Sequence, residues 1–344
     1  MSLLLLNEDE LRQIITITEG METIKQAFTA SAEGRMNMPG NFALHFPQVA
    51  GQVNVEGTYF SQSPYYVIKI DSNFKGNTAI NLPTQSGVLM VFDAATGFPA
   101  AIMVDNGYLT NIKIGAAGAL AAHCLANPQI RKVAIIGAGK QAFVQLKSLT
   151  VVRKMETVWV WDASPLKADN YVRHMVEDHD LNIRIAPSPQ AAVEQADIVI
   201  AAAESRQPLI KAEWLKPGAH ITSSALHHHP VKHNLAADVW QRADVIIVDD
   251  LAQCIQYGEL YHAQRAGIIQ HVDIDGELNS LISGKLQGRS HPGQITLADI
   301  TGLGAHDTAL ATLALEKALF SGLGQRLEGG FHLRALGTGV GHLL

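Results

Sequence analysis

Two cysteines in 344 residues are too few for a disulfide framework. Cys124 and Cys254 lie in apolar, helix-like stretches and read as buried thiols, which suits a reducing cytoplasm. Charge is also sparse. Only 17% of residues are charged and the net charge is −6, with no Lys/Arg run interleaved with aromatics, which argues against a nucleic-acid partner. No apolar run reaches the roughly 18 residues of a membrane span. Leu3-Leu4-Leu5-Leu6 is too short for a signal-peptide core and lacks a basic leader and a cleavage site. What is abundant is apolar residues, 47% of the chain. The length allows two domains, each with its own core.

One stretch carries specific chemistry. Lys132-Val133-Ala134-Ile135-Ile136 is strand-like, and Lys140 to Leu149 is helix-like. Between them runs Gly137-Ala138-Gly139-Lys140-Gln141-Ala142, a G-x-G-x-x-A turn of dinucleotide-binding form. Gly137 permits the tight turn, Gly139 lets a pyrophosphate approach the backbone, and Ala142 lets helix and strand pack closely. The helix N-terminus offers free amides to the phosphates. A second strand-like run, Thr157 to Trp161, ends at Asp162. A carboxylate there accepts from the adenosine ribose hydroxyls and repels a 2′-phosphate, so NAD(H) is the expected cofactor.

From Lys132 the chain alternates strand and helix patterns. Strands are predicted at Val133–Ile136, Thr157–Trp161, Asn182–Ala186, Asp197–Ala202, Ala219–Ser223 and Asp244–Val248, which implies a Rossmann-type doubly wound parallel sheet. The first part is α+β in pattern. Glu8–Thr18 and Met21–Ala32 read as helices stopped by Gly20 and Gly34. Tyr65–Ile70, Gly87–Phe92 and Ala100–Val104 read as strands, with a hairpin turn at Ala94-Ala95-Thr96-Gly97. Asn111–Ala126 and His306–Phe320 are Ala-rich helices, the second returning to the first part. The expected division is a discontinuous substrate-binding and dimerisation domain, 1–126 with 306–344, and an NAD-binding domain, 127–305. Gly329–Leu344 is Gly-rich and expected to be a poorly ordered tail.

Several stretches outside the nucleotide turn carry a resemblance. They include Val67-Ile68-Lys69-Ile70, Leu82-Pro83-Thr84, Phe92-Asp93-Ala94-Ala95-Thr96-Gly97 and Asp105-Asn106-Gly107-Tyr108-Leu109-Thr110. Further on come Trp214-Leu215-Lys216-Pro217-Gly218 and Ile295-Thr296-Leu297-Ala298-Asp299-Ile300-Thr301-Gly302-Leu303-Gly304. Together they resemble the ornithine cyclodeaminase/μ-crystallin family over nearly the whole chain, in order, with the imino-acid reductase and ectoine-utilisation-like members nearest in motif. The resemblance implies a two-domain homodimer joined through the non-nucleotide part, NAD(P)(H), and hydride chemistry at an amino-acid α-carbon. Fold and cofactor transfer better than the reaction.

The resemblance also places residues. Lys69, on a strand between apolar neighbours, matches the family's substrate lysine and would bind the substrate carboxylate and polarise the imine; the plainer alternative is a solvent-facing strand lysine. Lys113 stands where the family usually has arginine. Thr110 reads as a helix N-cap, putting Lys113 in the first turn as part of an anion site. A lysine grips a carboxylate without the bidentate fork of arginine. Thr84 and Gln85 would line the substrate pocket, and Thr110 is placed on the cofactor side. The family's acid after the fifth strand is absent; His227 or His228 stands there and would handle the proton on nitrogen. That departure disfavours a cationic diamino acid and favours a neutral or acidic side chain. Metal binding by His227-His228-His229 is disfavoured, because consecutive loop histidines do not easily face one ion. Asp307 reads first as a helix-dipole acid, and otherwise as a residue orienting a side chain or water.

The leading expectation is thus an NAD(H)-dependent imino-acid reductase or amino-acid dehydrogenase, cytoplasmic and homodimeric. The alternatives are a redox-neutral cyclodeaminase and a binding protein that keeps the cofactor without turnover.

Overall fold

The computed structural model describes residues 3–40, 42–178, 181–224 and 232–327; His227, His228, His229 and the Gly329–Leu344 segment lie outside the described residues. Two eight-stranded sheets organise the chain. The first contains β1 (Leu3–Asn7), β2 (Met36–Asn37), β3 (Phe42–Phe46), β4 (Gly51–Phe60), β5 (Tyr65–Phe74), β6 (Gln85–Asp93) and β7 (Pro99–Val104). The second contains β8 (Lys132–Ile136), β9 (Thr157–Trp161), β10 (Asn182–Ile185), β11 (Ile198–Ala201), β12 (His220–Ser224), β13 (Val245–Val248), β14 (Gly276–Glu277) and β15 (Thr296–Ile300). The last strand, β16 (Gln325–Leu327), returns to the first sheet beside β1.

Order in the second sheet is β10-β9-β8-β11-β12-β15-β13-β14, and every pairing is parallel. The chain winds outward from β8 in both directions, so the sheet is doubly wound with its switch point between β8 and β11. Each predicted strand is present. β15 is an addition: it runs between β12 and β13, where no strand is predicted. Helices α4 (Lys140–Val152), α5 (Pro165–Asp178), α6 (Pro189–Val193), α7 (Ala237–Arg242), α8 (Leu251–Tyr257), α9 (Leu260–Arg265) and α10 (Leu278–Ile282) occupy the connections. They follow α1 (Glu8–Ile14), α2 (Ile17–Ala32) and α3 (Tyr108–Leu125), and α11 (Gly304–Ser321) comes last.

The first sheet has order β16-β1-β7-β6-β5-β4-β2, with β3 also pairing β4. The Leu3–Leu6 run lies in β1, parallel to β7, with Leu4 and Leu6 turned inward. One face packs under α11, which α2 and α3 flank, and there Val67, Leu89, Val91, Ala101 and Met103 are at most 2% exposed. The opposite face carries Val55, Ile68, Val88, Met90 and Ile102, all only half-buried, and the described residues place no helix over it. Asp93 accepts from the Ala95 and Thr96 amides and closes the predicted β6–β7 hairpin.

Two helix boundaries differ from expectation. Gly20 does not stop a helix but lies inside α2; the break falls before it, where Thr16 caps α2 in a capping box with Glu19. A Cβ on Gly20 would stand 2.4 Å from Ile112 Cγ2, so glycine is there for close approach to α3. Thr110 is not an N-cap: α3 starts at Tyr108, behind Gly107 with φ of +82°. Lys113 therefore sits in the second turn, beyond the reach of the free amides.

Candidate active site

The carboxyl ends of β8 and β9 form a dinucleotide cradle. Gly137 has φ of +99°, and a Cβ there would lie 2.4 Å from Ala203 Cα, so only glycine fits the turn. Gly139 caps α4 with no side-chain bond of its own, and the space where its Cβ would stand is open to 4 Å. α4 has no acidic residue in its first turn, so Lys140 and Gln141 open a helix whose N-terminus suits an anion. Gln141 Oε1 accepts from Lys232 at 3.2 Å, and Lys232 also pairs with Glu204 at 2.8 Å. Ala142 is fully buried against the sheet. Asp162 follows β9 and accepts from the Ala138 and Ser164 amides, both at 2.8 Å. Those bonds tie its carboxylate to the glycine turn and leave lone pairs for hydroxyl donors. An open Gly139, a helix N-terminus and an acid at the next strand together fit an adenine dinucleotide.

The second constellation is buried between α3, α11 and the inner row of β4 and β5. Lys69 on β5 and Lys113 on α3 are 4% and 3% exposed, so neither is a solvent lysine. Both ammoniums donate to one carboxylate, Asp307 of α11. Lys69 Nζ lies 2.9 Å from Asp307 Oδ1, and Lys113 Nζ pairs with Oδ2. Lys69 also donates to Thr110 Oγ1 at 2.6 Å, and Lys113 to the Leu303 carbonyl at 3.4 Å. Burial alone pushes the Lys69 ammonium toward the neutral amine. Asp307, followed by Asp71, Asp105 and Glu56, more than reverses this and holds its pKa above the ordinary lysine value. Asp105 is fully buried; burial raises its carboxyl above the usual range, with Lys69 opposing. His306, next to Asp307, is pushed down to about 3 by burial and then by Lys113, so it is neutral at physiological pH.

Around the lysines is a small cavity of about 40 Å³, lined by Glu56, Asp71, Gln85, Thr110 and Thr301 among others. Gln85, one of the two residues that the resemblance assigns to the pocket, is in this lining. Thr84 is not in the lining; its carbonyl accepts from the Phe74 amide at 2.8 Å. Thr110 meets Lys69 through its hydroxyl oxygen, which leaves the hydroxyl proton to donate elsewhere. β12 ends at Ser224, and the proposed proton handlers His227 and His228 follow outside the described residues. Among the described residues, no group of three His, Cys, Asp or Glu could hold a metal ion.

Glu56 and Asp249 escape the sequence reading, and Asp307 is read there first as a helix-dipole acid. Asp307 is more than a first-turn acid: it joins both lysines across separations of 238 and 194 residues. Glu56 lies opposite Lys69 in the β4–β5 register. Asp249, buried after β13, accepts from the Thr301 and Gly302 amides at 2.9 and 2.7 Å and pins the loop whose Leu303 carbonyl meets Lys113. The one available signal was position, since Asp249 stands at the carboxyl end of a parallel strand, where ligands bind.

Residues 2–322 match the model of the ornithine cyclodeaminase/mu-crystallin family. An uncharacterized cyclodeaminase of Sinorhizobium fredii is 37% identical over 91% of this chain and 95% of its own. A solved Δ1-pyrroline-2-carboxylate reductase of Thermococcus litoralis, in complex with NADH and L-proline, superimposes with a TM-score of 0.88 at 28% identity, covering 94% of this chain and all of that one. An archaeal alanine dehydrogenase dimer with bound NAD also has a TM-score of 0.88, at 30% identity, covering 95% of this chain and 99% of that one.

Proposed function

The chain belongs to the ornithine cyclodeaminase/mu-crystallin family, and on that premise we propose that it is an NAD(H)-dependent oxidoreductase acting at the α-carbon of an amino or imino acid. The observation that carries this reading is the buried Lys69–Asp307–Lys113 triad beside a dinucleotide-type sheet. The two ammoniums meet at one shared carboxylate, and each has further N–H donors that a substrate carboxylate can accept from.

Bound NAD(H) supplies or takes up the hydride. Gly137, Ala138, Gly139 and the first amides of α4, at Lys140 and Gln141, hold its diphosphate; Ala142 keeps α4 against the sheet; Asp162 holds the ribose. Lys69 and Lys113 hold the substrate carboxylate, fixing the α-carbon and its nitrogen. Lys69 stays protonated under the neighbouring carboxylates, so it can polarise an imine as a hydrogen-bond donor. Thr110 orients Lys69 and offers its own proton toward the cofactor side, while Gln85 bounds the pocket. His227 or His228, a few residues beyond β12, exchanges the proton on nitrogen. In the same reading the nucleotide domain is 127–305 and the substrate-binding domain is 1–126 with 306–344. The apolar, half-buried face of the first sheet is where a second copy packs, giving a homodimer that works in the cytoplasm.

The test is a spectrophotometric assay of the purified chain with NADH and cyclic imino acids, 2-oxo acids with ammonia, and diamino acids. Loss of NADH absorbance in step with amino-acid formation is expected, and Lys69→Ala should abolish it while NADH affinity stays near normal. Ammonia release without net NADH change would mean a cyclodeaminase. Tight NADH binding without turnover would mean a binding protein.

A further inference from the structure

A second cavity adjoins the lysine pocket. It has about 290 Å³ of space and lies between the β4 segment and α8, with Met38, Glu56, Gly57, Asp250, Gln253 and Tyr257 among its walls. Glu56 belongs to the walls of both cavities. Thr301 of the first cavity donates to Gln253 of the second at 3.3 Å. The two spaces are therefore adjoining rooms with a common wall.

Strand order gives this second room a role. Asp162 stands at the end of β9 and the glycine turn at the end of β8, and the sheet continues β11, β12, β15, β13. A dinucleotide anchored by its ribose at β9 and its diphosphate at β8 extends toward β11 and β12. The substrate then lies beyond, at the end of β15, where Thr301 lines the lysine pocket. What extends past the α-carbon points to β13 and α8. Size agrees with order: about 40 Å³ around the lysines admits little more than a carboxylate, and the larger room adjoins it.

We infer that the cavity between β4 and α8 receives the substrate's side chain and selects an uncharged polar or cationic one against an acidic one. The inference rests on the function proposed above. Glu56 and Asp250 supply two carboxylates, Gln253, Gln256 and Tyr257 supply amides and a phenol, and no Lys or Arg is among the described residues of the lining. A distal carboxylate entering this room meets like charge at short range, while Lys69 and Lys113 line the other room. A distal amide, hydroxyl or ammonium finds acceptors. The inference draws on no residue of the loop after β12. It narrows the neutral-or-acidic expectation from the histidines to its neutral half and readmits the cationic side chain.

The test uses three compounds of one length: the 2-oxo diacid, its distal amide, and the analogue with a distal amine. Each is assayed with ammonia and NADH; imine formation releases water, and reduction consumes one NADH and one proton. The matching amino acids are titrated calorimetrically into the NAD+-loaded chain, a readout that needs no turnover. The amide or amine should be preferred over the diacid by about tenfold or more, in kcat/KM and in Kd alike. Asp250→Asn keeps the α8 cap, in which Asp250 accepts from the Gln253 amide at 2.8 Å, and removes one charge. It should shrink the preference several-fold. Gln256→Lys, on the exposed side of α8, should shrink it further by admitting the diacid. No turnover with any compound, but the same order of Kd, would defeat the reaction and leave the side-chain assignment standing. Equal or tighter binding of the diacid by the unaltered chain, or a ratio that neither substitution moves, overturns the assignment.

Discussion

Asp307→Asn isolates the triad, because it keeps the shape and removes the one carboxylate that two buried ammoniums share. Opposite charges about 3 Å apart attract by roughly 5–6 kcal/mol at an effective dielectric of about 20. Desolvation cancels much of that, and removing one partner of a buried pair costs about 3–5 kcal/mol. Asparagine retains a carbonyl oxygen for one ammonium, which puts the loss near the lower bound. In a chain of this length, about 3 kcal/mol is a fall in Tm of roughly 6 °C, at about 2 °C per kcal/mol. The pH dependence gives a sharper signature. In the unaltered chain the Lys69 pKa is raised, so its stabilisation is complete below the ordinary lysine pKa and is lost only as pH rises through the elevated value. Without Asp307, burial acts on Lys69 against fewer carboxylates, its pKa falls, and it sheds its proton at lower pH. The stability deficit of Asp307→Asn should therefore narrow as pH rises into the alkaline range, where the uncompensated ammonium can neutralise. The alkaline limb of kcat/KM should move to lower pH in parallel. Thermal unfolding and rate profiles across neutral to alkaline pH read both. A deficit independent of pH, together with an unmoved alkaline limb, would refute the shared-carboxylate reasoning.

Two further outcomes test the cofactor and the assembly. Asp162→Ala should weaken NADH by about tenfold, the worth of hydrogen bonds to a charged acceptor, and weaken NADPH less, because the lost carboxylate also repelled its 2′-phosphate; equal losses in titration would remove the ribose role. Ile68→Glu on the bare sheet face should weaken self-association by roughly a hundredfold or more, since a buried, unpaired carboxylate is costly. Sedimentation should show a dimer becoming a monomer, and an unaltered oligomer would mean that another surface joins the copies.

The residues that were hard to read in the sequence are those whose side chains face the site. β8, β11 and β13 stand out as short apolar runs because both faces of their sheet are covered. β4 does not, and its inward row shows why: Gln52, Asn54, Glu56 and Thr58 are 3–7% exposed, while Val53 and Val55 lie on the bare face. Its polarity is inverted relative to an ordinary half-covered strand, because its inner row includes Glu56, a wall of both cavities, and its outer row is the apolar one. β15 is hidden for a related reason. Thr296 and Asp299, fully buried, interrupt its apolar run; Thr296 meets His220 at 2.9 Å, and Asp299 accepts from the Leu260 amide at 2.9 Å. Lys69 could be placed by motif, yet its partner could not, because nothing local distinguishes Asp307 from a helix-dipole acid. Only the packing of α11 against α3 and β5 turns that acid inward. Where a fold places polar side chains in a covered row, local pattern and global structure disagree, and such disagreement marks function or strain. By that criterion Gln52 and Asn54, bonded to each other at 2.7 Å and through Asn54 to Asp71 at 3.1 Å, extend the site's polar wall along β4 to a carboxylate that lines the lysine pocket.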